Sequence, residues 1–162
     1  MLDSKTRKLT LAGILVAAAV LGGVFSFPVL GSRCAPMQHL VNILAAVFLG
    51  PLWGIGVAFS ASVLRNIAGL GSLMAFPGSM IGALLCGLAY HYTKRLELTC
   101  IAEALGTGIL GALAAYPVAA FLMGLNPASY TVYIVPFLIS TGAGSILAYL
   151  VLRFLLPKIR RH

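Results

Sequence analysis

Acidic side chains are almost missing from this sequence: Asp3, Glu97 and Glu103 are the whole inventory, against 11 Lys and Arg in 162 residues. Charged residues of both signs amount to 9%, hydrophobic ones to 60%, and the mean hydropathy is +1.04. Too little polar surface remains to clothe a water-soluble domain, which implies an integral membrane protein. Motifs are missing as well. Cys34, Cys86 and Cys100 form no CxxC pair, and Cys34 with His39 supplies two metal ligands at most, so no metal site is expected. GxSxG, HExxH and GxxxxGK[ST] do not occur, which excludes the familiar hydrolase, zinc-protease and ATPase machineries. Neither a catalytic residue nor a cofactor is expected, and the chain does not read as an enzyme. The net charge of +8 raises the question of nucleic acid. The basic residues, however, sit at the ends of apolar runs rather than in a stripe, so no nucleic-acid partner is expected and the lipid bilayer is.

What the sequence does have is apolar runs of spanning length. Leu9 to Phe27 is a first span behind Lys5, Arg7 and Lys8. It exceeds the apolar core of a signal peptide, and more membrane follows it, so it is retained as a helix. A second helix starts near Pro36, at a position that suits proline, and breaks at Gly50-Pro51. The third covers Leu52 to Ile67. These two are short for a bilayer core of about 30 Å and fit either two short spans or one re-entrant hairpin. The fourth runs from Pro77 to about Thr93, the fifth from Thr99 to Leu122 and the sixth from Thr131 to Leu156. The expected architecture is an all-α integral membrane protein, a six-transmembrane-helix bundle forming one domain over residues 1–162. If the N-terminal cluster is cytoplasmic, alternation puts Lys94-Arg95 and Lys158, Arg160 and Arg161 on the same side, so both termini are expected in the cytoplasm of a multi-pass cell-membrane protein.

With that topology, "GSRCAPMQHLVN" (Gly31 to Asn42) gathers polar chemistry at the outward side. Gln38 and Asn42 share a helical face, with His39 about 100° away. Arg65 and Asn66 close the third helix on that side, where the positive-inside rule disfavours arginine. A ligand pocket opening outward accounts for them better than snorkelling does. Small residues recur four apart at Gly13 and Ala17, Ala18 and Gly22, Gly54 and Ala58, Gly78 and Gly82, and Gly144 and Ala148. Such rows let helices approach closely in lipid, and the row on the first helix also suits a membrane partner. Glu103 reads as a helix-start carboxylate near the cytoplasmic end. With no proton relay in view, another protein would supply energy for uphill transport.

The blocks "GSRCAPMQHLVNILAAVFLGP" and "SASVLRNIAGLGSLMAFPGSMIGALLCGLAY", on the six-helix pattern, resemble the substrate-binding S-components of energy-coupling factor (ECF) vitamin transporters, most closely the ThiW type assigned to the thiazole precursor of thiamine. The resemblance implies capture of substrate from outside. It further implies docking through Gly13, Ala17, Ala18 and Gly22 onto a transmembrane coupling protein tied to two cytosolic ATPase subunits, and release by tilting of the subunit. A thiazole alcohol needs stacking surfaces and a few hydrogen-bonding groups. The substrate-binding candidates are Gln38, His39, Asn42, Arg65, Asn66, Phe76, Ser79, Tyr116, Tyr130 and Tyr133. Each tyrosine competes with a role in the interfacial belt. Arg65 suits either an anionic ligand form or the tying of loops, and the latter is favoured. A carrier of another vitamin, or an intramembrane enzyme or scaffold using Cys34 and His39, stands as the alternative.

Overall fold

A computed structural model describes residues 4–29 and 32–159. Asp3, Gly31, Arg160 and Arg161, named above, lie outside the described residues.

Six helical rods account for most of the chain. Helix α1 (Lys5–Gly22) is capped by the Ser4 hydroxyl, which accepts from the Arg7 amide at 3.2 Å, and it tightens into a 3-10 turn over Gly23–Phe25. Helix α2 (Pro36–Phe48) and helix α3 (Pro51–Ile67) each place proline in the first turn, where its missing N–H costs nothing. Between them Gly50 takes φ +90°, a conformation open to glycine and strained for any other residue. Helix α4 (Ala75–Thr93) ends at Lys94 in the left-handed region, whose amide closes on the Tyr90 carbonyl at 3.0 Å. Helix α5 (Leu96–Leu122) widens twice into π-helix, over Gly106–Gly111 and Val118–Leu122. Helix α6 (Ile134–Ile159) completes the set.

Rods consecutive in the chain run antiparallel, so α2, α4 and α6 descend side by side from the same end. Gly22 meets Met37, Arg65 meets Gln38, Gly87 meets Pro51, and Gly78 meets Gly111. One end of the bundle therefore carries the α1–α2, α3–α4 and α5–α6 links, the other the exposed Lys5, Arg7, Lys94 and Arg95. The first of these links is a finding that an all-α reading does not include. Phe27–Val29 and Ser32–Cys34 pair as a small antiparallel ribbon, with Phe27 opposite Cys34. Three residues per strand leave too short a pattern to be read from sequence.

The helix ends shift by a few residues from expectation, chiefly at α1, which starts at Lys5, and at α5, which starts at Leu96. Terminal turns are the least determined part of any helix. The rows of small residues on α3, α4 and α6 mark contacts inside the bundle: Gly54, Ala58, Gly78, Gly82, Gly144 and Ala148 are all buried. Polarity is inverted relative to a soluble protein. Leu21, Phe25, Leu52, Ile67, Phe121 and Phe154 are exposed, whereas Gln38, Asn42, Thr99, Glu103 and Thr141 are buried. Rods Lys5–Phe25, Leu96–Leu122 and Ile134–Pro157 are each long and apolar enough to cross a bilayer. At 13 residues α2 reaches only roughly 20 Å.

Candidate functional site: a polar cavity at the ribbon end

The first turns of α2 lie under the ribbon, so the polar side chains that follow Pro36 are turned into the bundle rather than out of it. Gln38 and His39 reach a small, partly open cavity of about 40 Å³. Arg65 of α3, Ser79 of α4, Thr107 of α5 and Ser140 of α6 line it with them, and Arg33 of the ribbon stands at its rim. Every rod but α1 contributes. Phe137 supplies an aromatic wall, and Gly78 lets it approach: a Cβ there would come 3.0 Å from the Phe137 ring.

Beneath the cavity one carboxylate organises the polar groups. Asn42 donates from Nδ2 to Glu103 Oε1 at 3.0 Å and to the Ser79 carbonyl at 3.3 Å. His39 Nδ1 faces the same Oε1 at 3.0 Å. The Thr107 hydroxyl lies 3.1 Å from Glu103 Oε1 and 3.1 Å from the Gly78 carbonyl, so its single proton serves one of them at a time. A carboxylate on Nδ1 keeps a proton there. His39 Nε2, 3.1 Å from Ser140 Oγ, is then placed to accept the Ser140 proton, while Ser140 itself accepts from the Ala35 amide at 2.8 Å. Toward the mouth, Arg65 Nη1 donates to Gln38 Oε1 at 3.2 Å, and Gln38 Nε2 lies 3.5 Å from Asn42 Oδ1. A line of amides thus runs from a guanidinium at the rim to a carboxylate beneath the floor. Burying that carboxylate costs several kcal/mol unless donors surround it, and here they converge on one oxygen. Its other oxygen, Oε2, has no partner among the described residues and faces Gly82, where a Cβ would come within 2.7 Å.

The placement of Glu103 corrects its reading as a helix-start carboxylate. It is fully buried, seven residues beyond the first residue of α5, and paired with a histidine. A carboxylate and a histidine thus pair inside the bundle, where no proton relay was in view. Gln38, His39, Arg65 and Ser79 line the cavity, and Asn42 sits in the network below. The other expected residues lie elsewhere. Asn66 holds the carbonyls of Ser62 and Ser72, Phe76 packs edge-on to Phe59, and Tyr116 stacks on Tyr130 with ring centroids 3.8 Å apart. Tyr133 packs with Met74, Ala115 and Phe137. Sequence reasoning passed over Thr107, Phe137 and Ser140. A hydroxyl in the middle of an apolar run was the available signal for two of them.

Cys34 and His39 do not form a nucleophile pair. The thiol donates to the Pro136 carbonyl at 3.2 Å, and both imidazole nitrogens are engaged by Glu103 and Ser140. Burial pushes the Cys34 thiol up from its ordinary value, away from the reactive thiolate.

Apolar side chains turned outward, polar ones turned inward and a cavity at one end are the marks of a membrane protein with a polar pocket inside its bundle. A family model described as thiamine-precursor transporter protein (ThiW) matches residues 9–158. The chain belongs to the ThiW family, as its sequence resemblance implied. No curated protein matches it.

Proposed function

We propose that this chain is the substrate-capturing membrane subunit of an ATP-driven importer, with hydroxyethylthiazole as cargo. The observation that carries the reading is the cavity at the ribbon end, built from five rods of a chain in a thiamine-precursor transporter family. The solute's ring lies against Phe137, and its hydroxyl and ring nitrogen exchange hydrogen bonds with Gln38, His39, Ser140 and Thr107. The chain crosses the cell membrane with both termini in the cytoplasm. Lys5, Arg7, Lys94 and Arg95, exposed at the end opposite the cavity, support that orientation under the positive-inside rule. With no nucleotide motif in the chain, a coupling protein and two ATPase subunits supply the energy.

The coupling protein docks on α1. Gly13 and Ala17 are exposed in an apolar groove between α1 and α3, walled by Trp53, Gly56 and Ser60. Gly22 turns toward α2, where a Cβ on it would meet Met37 at 2.5 Å, and Ala18 packs, half-buried, on the core that α1 shares with α2 and α3. Of the four expected docking residues, Gly13 and Ala17 make the contact, and the other two set α1 in place.

Calorimetry and thermal unfolding of the purified chain with hydroxyethylthiazole, thiamine and unrelated vitamins test the reading. Selective stabilisation by the thiazole is expected. Stabilisation by an unrelated vitamin alone would make the chain a carrier of that solute, and the thiazole reading would be abandoned.

A further inference from the structure

Two guanidinium groups meet at the mouth of the cavity, and no carboxylate answers either. Among the described residues His39–Glu103 is the one contact between a carboxylate and a basic side chain, and neither Arg33 nor Arg65 takes part in it. Arg65 is 3% exposed and lines the cavity. Its hydrogen bonds go to two neutral oxygens, Gln38 Oε1 at 3.2 Å and the Leu70 carbonyl at 3.1 Å. A guanidinium carries five N–H donors, and these two bonds leave others at the Nη atoms for a ligand; Nε, also without an acceptor, faces Gly23. Arg33 shares the lining and spends Nη1 on the Gly69 carbonyl at 2.7 Å. Tying the α3–α4 link explains one bond from each arginine, but a neutral amide would do that work without the cost of burying a charge. The field along the cavity also has a direction. Cations stand at the rim and a carboxylate lies beneath the floor, so a negative group is drawn to the mouth and repelled from the depth.

We propose that this mouth is an anion subsite: Arg65, with Arg33 at the rim, takes the phosphate monoester or carboxylate of a small heteroaromatic solute whose ring lies deeper, against Phe137. The inference rests on the cavity being the solute site proposed above, and it narrows the substrate class to anionic relatives of the thiazole alcohol. Hydrogen bonds between a guanidinium and such an anion are about twice as strong as neutral ones, and a bidentate pair fixes orientation as well.

Calorimetry on the full chain with four probes tests it: hydroxyethylthiazole, its phosphate monoester, the corresponding thiazole carboxylate, and inorganic phosphate alone. At least one anionic thiazole is expected to bind about tenfold or more tighter than the alcohol, and to lose part of that advantage as salt is raised, because the exposed Arg33 is screened while the buried Arg65 is screened far less. The phosphate and carboxylate arms tell which anion fits, and inorganic phosphate should compete with the one that does. In Arg65→Gln the ratio of anion to alcohol affinity should collapse toward one, whereas a merely structural arginine would lower both affinities alike. Should Arg65→Gln fail to fold, Arg33→Gln at the exposed rim and the salt series on the unaltered chain read the same ratio. An alcohol that binds as tightly as both anions overturns the subsite and leaves the transport reading intact. Absence of binding by every thiazole overturns both, and anion binding whose preference survives both arginine changes overturns the subsite alone.

Discussion

At the scale of the residue, Glu103 decides most. Three donor side chains converge on its Oε1 from two other positions on the chain and one on its own rod. Glu103→Gln keeps the shape but removes the charge and brings an NH₂ group among donors. At least one of Asn42, His39 or the new amide is then left unsatisfied, at about 1 to 3 kcal/mol. Thermal unfolding in detergent should show that loss of stability, and calorimetry should show thiazole affinity falling about tenfold as His39 and Asn42 lose their anchor. Unchanged affinity in a folded Glu103→Gln protein would remove the carboxylate from any part in recognition. The position was misread for a physical reason. Hydropathy reports that Glu103 lies near the start of an apolar run, but not which face it occupies, and its partners on α2 stand 61 and 64 residues away in the chain. Gln38 and Asn42 were legible because two amides four apart in an apolar helix need a shared polar environment. Arg65 beside Asn66 drew attention for its charge, yet nothing local separates the one that lines the cavity from the one that binds the link.

Elements of this bundle meet where they lack side chains. On α6, a Cβ at Gly144 would run into the Pro36 carbonyl and come 2.7 Å from His39 Cβ, while a Cβ at Gly142 would meet nothing within 4 Å. Gly144 also lies one turn from Ser140, the partner of His39. Gly144→Ala therefore pushes α6 off α2 and carries Ser140 away from the imidazole, an overpacking cost of about 1 to 3 kcal/mol with weakened solute binding. Gly142→Ala should be neutral or stabilise by up to about 1 kcal/mol, since alanine favours helix more than glycine does. Paired melting curves read the contrast, and equal effects of the two changes would show that the α2–α6 contact is not close. Rows of small residues at spacing four announced these contacts from sequence, as they did on α3 and α4. The ribbon and the π segments of α5 gave no such sign. A three-residue strand carries no usable period, and a π turn inserts a residue into a helix without altering its composition. Thr107 sits in the first of these π segments, so the widening that brings it to the cavity was hidden too.

On the scale of the whole molecule, composition was the strongest guide, because a chain with three acidic residues and 60% hydrophobic ones has to place its few polar groups inside. That inversion leaves the bundle with two concave features on different faces. The cavity opens at the ribbon end among α2 to α6, and the groove of Gly13 and Ala17 runs along α1 and α3. Helix α1 contributes nothing to the cavity lining, so the two are separable by mutation. Ala17→Trp fills the groove without touching the site. Thiazole binding by the purified chain should survive it, while uptake driven by ATP in reconstituted vesicles should fall to background, because a coupling protein in lipid holds a partner helix by close backbone packing that a bulky side chain prevents. Gly22→Leu provides the contrast: its side chain would drive into Met37 at the start of α2, so binding and uptake should fall together. Full uptake by the Ala17→Trp protein would show that α1 is not the docking face, and the partner would then have to engage another of the apolar surfaces, of which the exposed side of α6 around Ile139, Ile146 and Phe154 is one.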